Sequence, residues 1–177
     1  MEHRTLLSGL ISARGVLRVA GVALLLVTPA LCSGEDRCPW MTEGSASGLL
    51  ETEAVVAFTP AAGNQPAVCR FTSDGSGAKR ILRISVEIAS DAHARFMAVS
   101  QVCGRDGMEL KAIGNEARAC AVEDADGGKG ERAVGRVRDQ VFVVDIESNI
   151  KNDPVLTRDA LRSKINAAAE QVAGNLY

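Results

Sequence analysis

The chain has 177 residues, of which 46% are apolar and 24% are charged. This balance is typical of a globular protein and excludes a disordered chain. Aromatic residues make up 3% of the chain, and its formal net charge is −2. It therefore lacks the cationic surface and the stacking platforms that nucleic-acid binding requires, and we expect no nucleic-acid partner.

Residues 1–33 have the features of a cleavable secretory signal peptide. Three arginines and a glutamate precede an apolar run over residues 19–27, and a proline with several small residues follows it. The run is about half as long as a membrane-spanning helix, so a signal peptide fits better than a permanent anchor. Cleavage is expected between residues 30 and 36. It leaves one domain over residues 34–177, with no transmembrane span and a net charge shifted from −2 to −4.

Cys32 offers a rival hypothesis, a lipid-modified cysteine at the new amino terminus. A bacterial lipobox has Leu about three residues before the cysteine and a small residue directly before it. In this chain Pro29 and Leu31 hold those two places. We expect a protein exported to the periplasm or outside the cell, with a lipid anchor at Cys32 as the less favoured alternative.

Four cysteines remain in the expected mature chain: Cys38, Cys69, Cys103 and Cys120. An even number in an exported chain indicates disulfides, and no pair has the C-x-x-C spacing of a zinc or redox site. Three pairings are possible. We favour the two sequential loops, Cys38–Cys69 and Cys103–Cys120, each of which stabilises the fold by about 3–4 kcal/mol in the chain-entropy model.

The first half of the mature chain predicts a short helix, three strands and a second helix. Thr42 can cap the first helix, and Ser90 or Asp91 the second. In the third strand, apolar and polar residues alternate with a period of two, which indicates one wet face. The predicted elements are a helix over residues 43–51, strands over 54–59, 67–72 and 81–89, and a helix to about residue 102.

The second half predicts four short strands and a closing helix. Gly114 lies in a turn, and residues 138–139 join the last two strands as a hairpin. Asp153 as N-cap and Pro154 at the first helical position open the closing helix. The strands cover residues 109–113, 117–122, 131–137 and 140–147, and the core stripe of the helix is Leu161, Ile165, Ala168, Val172 and Leu176.

Consecutive strands with helices at the start, middle and end predict an α+β fold. We expect an antiparallel curved sheet of about five to seven strands, backed by two or three helices.

Five segments carry a family resemblance: Cys38-Pro39-Trp40, Cys69-Arg70-Phe71, and residues 113–117 (IGNEA), 137–141 (VRDQV) and 169–176 (AEQVAGNL). They resemble exported bacterial envelope proteins and lipoproteins that share the PsbP/LpqN-like α+β fold. The resemblance spans nearly all of the mature chain. It implies a Cys38–Cys69 disulfide, a curved sheet with helices packed on it, and a binding or accessory module without catalytic residues. The defective lipobox and the Cys103–Cys120 pair depart from the group.

No catalytic or cofactor motif stands out in the sequence, so we expect no cofactor. His93 is the only histidine of the mature domain, and we interpret it as a solvated surface residue. Ser45 and Ser47 do not have the Gly-x-Ser-x-Gly spacing of a nucleophile elbow. Residues 127–130 lack the upstream glycine and the following Ser or Thr of a phosphate-binding loop.

Glu123, Asp124, Asp126 and Glu131 form the only acidic cluster. The Asp-x-Asp-Gly pattern within it is a fragment of a calcium loop, but glycines and an arginine occupy the remaining ligand positions. We therefore favour a solvated hairpin tip. A calcium-dependent site or an enzyme that uses the loop over residues 123–131 is the alternative.

Four arginines, Arg70, Arg83, Arg136 and Arg138, can project from neighbouring strands. If they share one face, they form a cationic patch for a carboxylate or phosphate, although ordinary alternation on the wet side of a sheet is the favoured interpretation. The sequence thus favours a non-enzymatic exported module that binds a protein or a small ligand on its sheet face or in a helix–sheet cleft. An enzyme and a structural subunit of a larger envelope complex are the alternatives.

Overall fold

The computed structural model of the protein describes residues 37–75, 77–123 and 128–177. All of them belong to one folded unit, Ser33–Tyr177. The expected leader with Cys32, and residues 124–127 of the acidic loop, lie outside the described residues. In chain order the elements are α1 (Glu43–Leu50), β1 (Val55–Thr59), β2 (Ala67–Gly75), β3 (Ala78–Ile88), α2 (Ala92–Ser100), β4 (Met108–Glu109), β5 (Glu116–Glu123), β6 (Lys129–Val137), β7 (Gln140–Ser148) and α3 (Arg158–Leu176).

The seven strands form one antiparallel sheet in the spatial order β1-β2-β3-β7-β6-β5-β4. The chain therefore makes two meanders, one of three strands and one of four, which meet where β3 pairs with β7. A helix follows each meander, and α1 precedes the first. The predicted α+β class, with an antiparallel sheet and three helices, is confirmed.

The first face of the sheet carries the main core. Because side chains alternate along a strand, one set of apolar residues on β2, β3 and β7 points to the same side. Helix α1 packs against β2 and β3, and α3 packs against β6 and β7. The largest side chains buried in this core are Phe71, Leu82, Ile84, Phe142 and Ile146.

The second face of the sheet is covered only in part. Helix α2 packs on β6 and β7, where Ala92 and Phe96 contact Val134 and Val141. Of the two predicted caps, Asp91 and not Ser90 caps this helix, and its carboxylate accepts the backbone N–H of Ala94 at 2.9 Å. Strand β7 is consequently buried on both sides, which agrees with the apolar residues on both of its faces.

The strand predicted over residues 109–113 is mostly wrong. Strand β4 covers only Met108–Glu109, and the chain then turns through Ala112 and Gly114, whose φ angles are 63° and 60°. Both values lie in the left-handed region, which a strand does not adopt. The prediction of a turn at Gly114 is confirmed. A Cβ at Gly114 would collide with the backbone of Arg136.

The predicted start of the closing helix is also wrong. Helix α3 begins at Arg158, and the Thr157 side chain caps it by accepting the N–H of Ala160. Asp153 instead lies in the loop before the helix, where its carboxylate pairs with Arg80 at 2.7 and 3.0 Å. The predicted core stripe of the helix is buried as expected.

Both preferred disulfides are confirmed. Cys38 bonds to Cys69 with a Cα–Cα distance of 5.6 Å, and Cys103 bonds to Cys120 with one of 5.3 Å. The first bond ties the segment before α1 to β2, and the second ties the segment after α2 to β5. Each helical layer is therefore cross-linked to the sheet. Within the described residues, no helix has both the length and the apolar character to cross a membrane.

Candidate functional site

An uncovered area lies on the second face of the sheet, over β1, β2 and β3. Helix α2 covers β6 and β7 and reaches the end of β3 at Glu87, which accepts a hydrogen bond from Arg95 at 2.6 Å. No described helix packs over the rest of the first three strands on this side. We call this area the open face. It consists of Val55, Ala57, Thr59, Val68, Arg70, Thr72, Ile81, Arg83 and Ser85.

Two arginines face each other on the open face. Arg70 of β2 and Arg83 of β3 are register partners, and both are exposed. Neither forms a hydrogen bond or an ion pair with another described residue. Like charges directly opposite each other on adjacent strands destabilise a sheet. The pair is therefore an unfavourable feature of the free protein.

Two hydroxyl groups flank the arginine pair. Thr72 lies two residues after Arg70 along β2, and Ser85 lies two residues after Arg83 along β3. Both side chains project from the same face as the arginines, and both are half-buried. In the described part of the chain neither side chain has a hydrogen-bond partner. Guanidinium groups and hydroxyls are the donors that bind carboxylate and phosphate oxygens. The four side chains together can bind an oxyanion.

The carboxylate nearest in register is already paired. Asp145 of β7 is the partner of Arg83 in one direction and of Arg132 in the other. Its two oxygens accept hydrogen bonds from Arg132 at 2.5 and 3.2 Å, and this interaction raises the pKa of the Arg132 guanidinium. Asp145 is thus bound to Arg132, and the Arg70–Arg83 pair keeps its positive charge.

The predicted patch of four arginines is only partly correct. Arg70, Arg83 and Arg136 do share one face, but Arg136 lies under α2 and donates to Glu116 at 2.5 Å. Arg138 lies in the β6–β7 turn, with its guanidinium 5.7 Å from the centre of the Tyr177 ring. Only Arg70 and Arg83 remain unpaired. Arg132 and Asp145 are register partners in the β6–β7 hairpin, so the predicted turn at residues 138–139 is the signal that could have located this ion pair from the sequence.

A second polar cluster lies beside α2. Glu116 accepts hydrogen bonds from His93 at 2.9 Å and from Arg136. Burial raises the pKa of Glu116, but the hydrogen bonds from these two side chains outweigh that effect and leave the pKa below its usual value. The carboxylate is therefore stabilised in its charged form, which makes it a poor general acid or base at neutral pH. His93 is exposed, as predicted, at 64% of its side chain.

A shallow cleft of about 730 Å³ adjoins this cluster. Phe96 and the segment over residues 107–118 line it, and they bring Glu109, Glu116 and Arg118 to its wall. No lining residue is a serine, threonine or cysteine, so the cleft has no hydroxyl or thiol nucleophile, although Lys111 lines it. The arrangement can hold a polar ligand, but it does not form a nucleophile–base pair.

The remaining predicted candidates have structural roles where they are described. The Ser47 hydroxyl accepts the N–H of Ala54 at 3.0 Å, and Ser45 accepts a hydrogen bond from Gln171. Glu131 is buried under α3, where Arg162 lies 4.0 Å from its carboxylate. Among the described residues, no group of three or more His, Cys, Asp or Glu side chains could hold a metal ion. Asp124 and Asp126 lie outside them.

The outer edge of β1 is partly occupied by side chains of α1. The N–H of Val56 donates to the Glu43 carboxylate at 3.0 Å, and the N–H of Ala54 donates to Ser47. Unpaired N–H groups on an edge strand invite pairing with another chain. These two contacts remove such donors at the start of the edge. A partner therefore has better access to the open face than to this edge.

No protein-family model matches this chain, and no curated protein or solved structure matches it either.

Proposed function

We propose that this chain is an exported, non-enzymatic binding module of the bacterial envelope, whose partner docks on the open face. The observation that carries the proposal is the unpaired, like-charged Arg70–Arg83 pair on a part of the sheet that no described helix covers. A like-charged pair costs stability in the free protein, and a bound anion removes that cost. The PsbP/LpqN resemblance agrees with a binding role.

Export is supported by the cysteine pattern. Two disulfides in one domain are typical of an oxidising compartment outside the cytoplasm. Intact mass measurement of the protein isolated from its host tests this part of the proposal. The mass should lack residues 1–33 or a closely similar leader and should rise by four hydrogens on reduction. Four free thiols with the leader in place would contradict export.

Site-specific photo-crosslinking in the native host tests the binding surface. A photoreactive residue at position 72 lies on the open face, and one at position 170 lies on the solvent side of α3 as a matched control. We expect a discrete adduct from position 72 and none of the same mass from position 170. The same adducts from both positions, or no adduct from position 72, would contradict docking at the open face.

An enzyme is the weaker candidate. The polar cluster at Glu116 lies next to a cleft, but its carboxylate is hydrogen-bonded to His93 and paired with the Arg136 guanidinium. The cleft also lacks a hydroxyl or thiol nucleophile. The calcium alternative depends on residues 123–131, of which Glu131 is buried under α3. A melting temperature that does not change with millimolar calcium would remove it.

A further inference from the structure

We propose that the Arg70–Arg83 pair binds carboxylate side chains of an acidic, partly apolar segment of a partner protein. This inference rests on the proposed binding function and adds the chemistry of the partner. The bound segment lies across β2 and β3 on the open face. Its Asp or Glu side chains contact the two guanidinium groups and its apolar side chains contact the strands beside them.

The positive charge of the arginine pair favours an acidic ligand. Arg70 and Arg83 are adjacent, exposed and without a described anionic partner, while Asp145 is taken by Arg132. A guanidinium presents a planar fork of donors that matches a carboxylate. Thr72 and Ser85 add hydroxyl donors on the same face. An acidic group between the arginines therefore gains several charge-assisted hydrogen bonds and relieves the repulsion.

The shape of the open face favours a polypeptide segment over a small ion. An exposed ion pair contributes only about 0.2–1 kcal/mol, so two of them do not hold a small ion firmly on an open surface. The open face also offers apolar contact: Val55 is 68% exposed, and Ile81 is half-buried beside the pair. A polypeptide segment can use both kinds of contact at once. A small oxyanion can use only the first.

Neither the edge of β1 nor a membrane surface offers a partner as good an approach as the open face does. The N–H groups of Ala54 and Val56 on the edge of β1 are already bound by Ser47 and Glu43. A segment that adds to the sheet as a new strand would have to displace both contacts. The net charge of the chain is negative, so an anionic membrane surface is repelled by most of the protein. A local acidic segment avoids both obstacles.

Nuclear magnetic resonance of the isotope-labelled, disulfide-bonded exported protein tests the inference. The probe is a short synthetic peptide in which valine and aspartate alternate. We expect chemical-shift changes confined to the open face, largest at Arg70, Thr72, Arg83 and Ser85, and reduced by salt. A peptide with lysine in place of aspartate, inorganic phosphate, and phosphatidylglycerol vesicles are the comparison ligands.

Two variants separate the arginine pair from general charge. Arg83→Gln should weaken binding of the acidic peptide about twofold to fivefold, since it removes one exposed charged donor group. Arg105→Gln changes an exposed arginine in the loop after Cys103 and should leave the affinity unchanged. Arg83→Gln removes the like charge beside Arg70 and also a positive charge opposite Asp145, so its melting temperature is measured together with its affinity. Loss of binding without a fall in melting temperature will not reflect unfolding.

Several outcomes would overturn the inference. These are no shift at millimolar acidic peptide, an equal response to the lysine peptide, and equal effects of the two variants. Phosphate binding as tightly as the peptide would indicate a small oxyanion ligand, and vesicle binding a lipid surface. If the crosslink from position 72 persists in the double variant Arg70→Gln/Arg83→Gln, the open face still docks a partner and only the acidic chemistry fails.

Discussion

Arg80 and Asp153 form an ion pair that excludes water almost completely. The exposed fractions of their side chains are 4% and 1%. Arg80 also donates to the carbonyl of Leu50 at the end of α1, and Asp153 accepts from Ser148 and from two backbone N–H groups. These contacts join β3, β7, α1 and the loop before α3. A buried pair of this kind is costly to break, since the remaining charge has no substitute partner.

Asp153→Asn tests this network. The change should lower the free energy of unfolding by about 3 kcal/mol at pH 7, because it leaves the Arg80 charge buried without a counter-ion. Burial alone raises the pKa of Asp153, but the hydrogen bonds outweigh burial and hold the pKa well below its usual value. The carboxylate therefore stabilises the fold above its usual pKa of 3.8 and loses that effect as the pH falls.

Urea unfolding of the two proteins between pH 3 and pH 7 measures the effect, and the difference should be smaller at the acid end. Asp106→Asn changes an exposed aspartate in a loop and should stay close to the parent protein at all pH values. Equal stability of Asp153→Asn and the parent at pH 7 would show that the pair contributes little.

Folding raises the pKa of Glu131, whereas it lowers the pKa of Asp153. Its side chain is 3% exposed beneath α3, and the nearest cation, Arg162, is 4.0 Å away and half exposed. Burial raises the pKa of Glu131, and the charges of Arg162 and Arg158 counter this effect only in part. A group whose pKa is raised on folding favours the folded state at low pH, and the advantage is lost as the pH rises through the folded pKa.

Glu131→Gln should therefore stabilise the protein at pH 7, by about 1 kcal/mol. The gain should shrink toward pH 4, where the parent carboxyl is protonated in both states. Thermal melts at both pH values measure it, with Glu123→Gln as an exposed control. A gain that is the same at the two pH values would show that the charge of Glu131 is not its cause.

Strands β6 and β7 approach each other closely at a glycine. Gly135 is the register partner of Phe142, and a Cβ at Gly135 would overlap the phenylalanine ring. The ring is completely buried in the main core. An aromatic side chain over a glycine of the neighbouring strand fixes the register of the pair.

Gly135→Ala should destabilise the protein by about 2 kcal/mol, because the ring has no free space to move into. Chemical unfolding measures the loss. Gly48→Ala is the matched control: a Cβ at Gly48 meets nothing within 4 Å, and an alanine inside α1 should stabilise by up to about 1 kcal/mol. If both changes had the same sign, close contact with the ring would not be the reason.

Local sequence patterns predicted most of these elements. The alternation along β3 placed Leu82 opposite the wet face, and Thr42 was identified as one cap and Asp91 as one of two candidates for another. The pattern Asp153-Pro154 was misleading, because an aspartate that binds nearby N–H groups looks the same in sequence whether or not a helix follows directly. Strand β4 was overextended because the left-handed conformation of Ala112 has no sequence signal.

The candidate site was harder to predict than the elements. Alternation does place Arg70 and Arg83 on the face opposite the core, but it cannot show that they are register partners. Whether they stay uncovered depends on which strands α2 crosses, and that is decided by tertiary packing of Phe96 on Val134. The pairing of Arg132 with Asp145, by contrast, follows from the register of the β6–β7 hairpin, which a two-residue turn at residues 138–139 fixes.

The two disulfides hold different layers of the whole molecule. Cys38–Cys69 closes a loop with a sequence separation of 31 on the side of α1, and Cys103–Cys120 closes one of 17 on the side of α2. The chain-entropy model assigns them about 4 and about 3 kcal/mol. Their loss should therefore affect different parts of the protein.

Replacing Cys103 and Cys120 by alanine should lower the free energy of unfolding by about 3 kcal/mol and make local unfolding of α2 more frequent. Hydrogen exchange should then speed up in α2 while α1 and α3 stay protected. The variant with alanine at Cys38 and Cys69 is the comparison, and its exchange should rise around α1 instead. Uniform acceleration in both variants would show that the layers do not open separately.

Strand order has a consequence for how the chain reaches its final structure. Strand β3 acquires its second neighbour only from β7, and Arg80 meets Asp153 across 73 positions of sequence. A chain that emerges amino end first thus carries an early half with an unfinished strand edge and an unneutralised interior charge. The early half cannot complete its sheet or pair Arg80 until the late half is present. A product truncated before residue 153 should therefore be a substrate for proteases rather than a smaller folded domain.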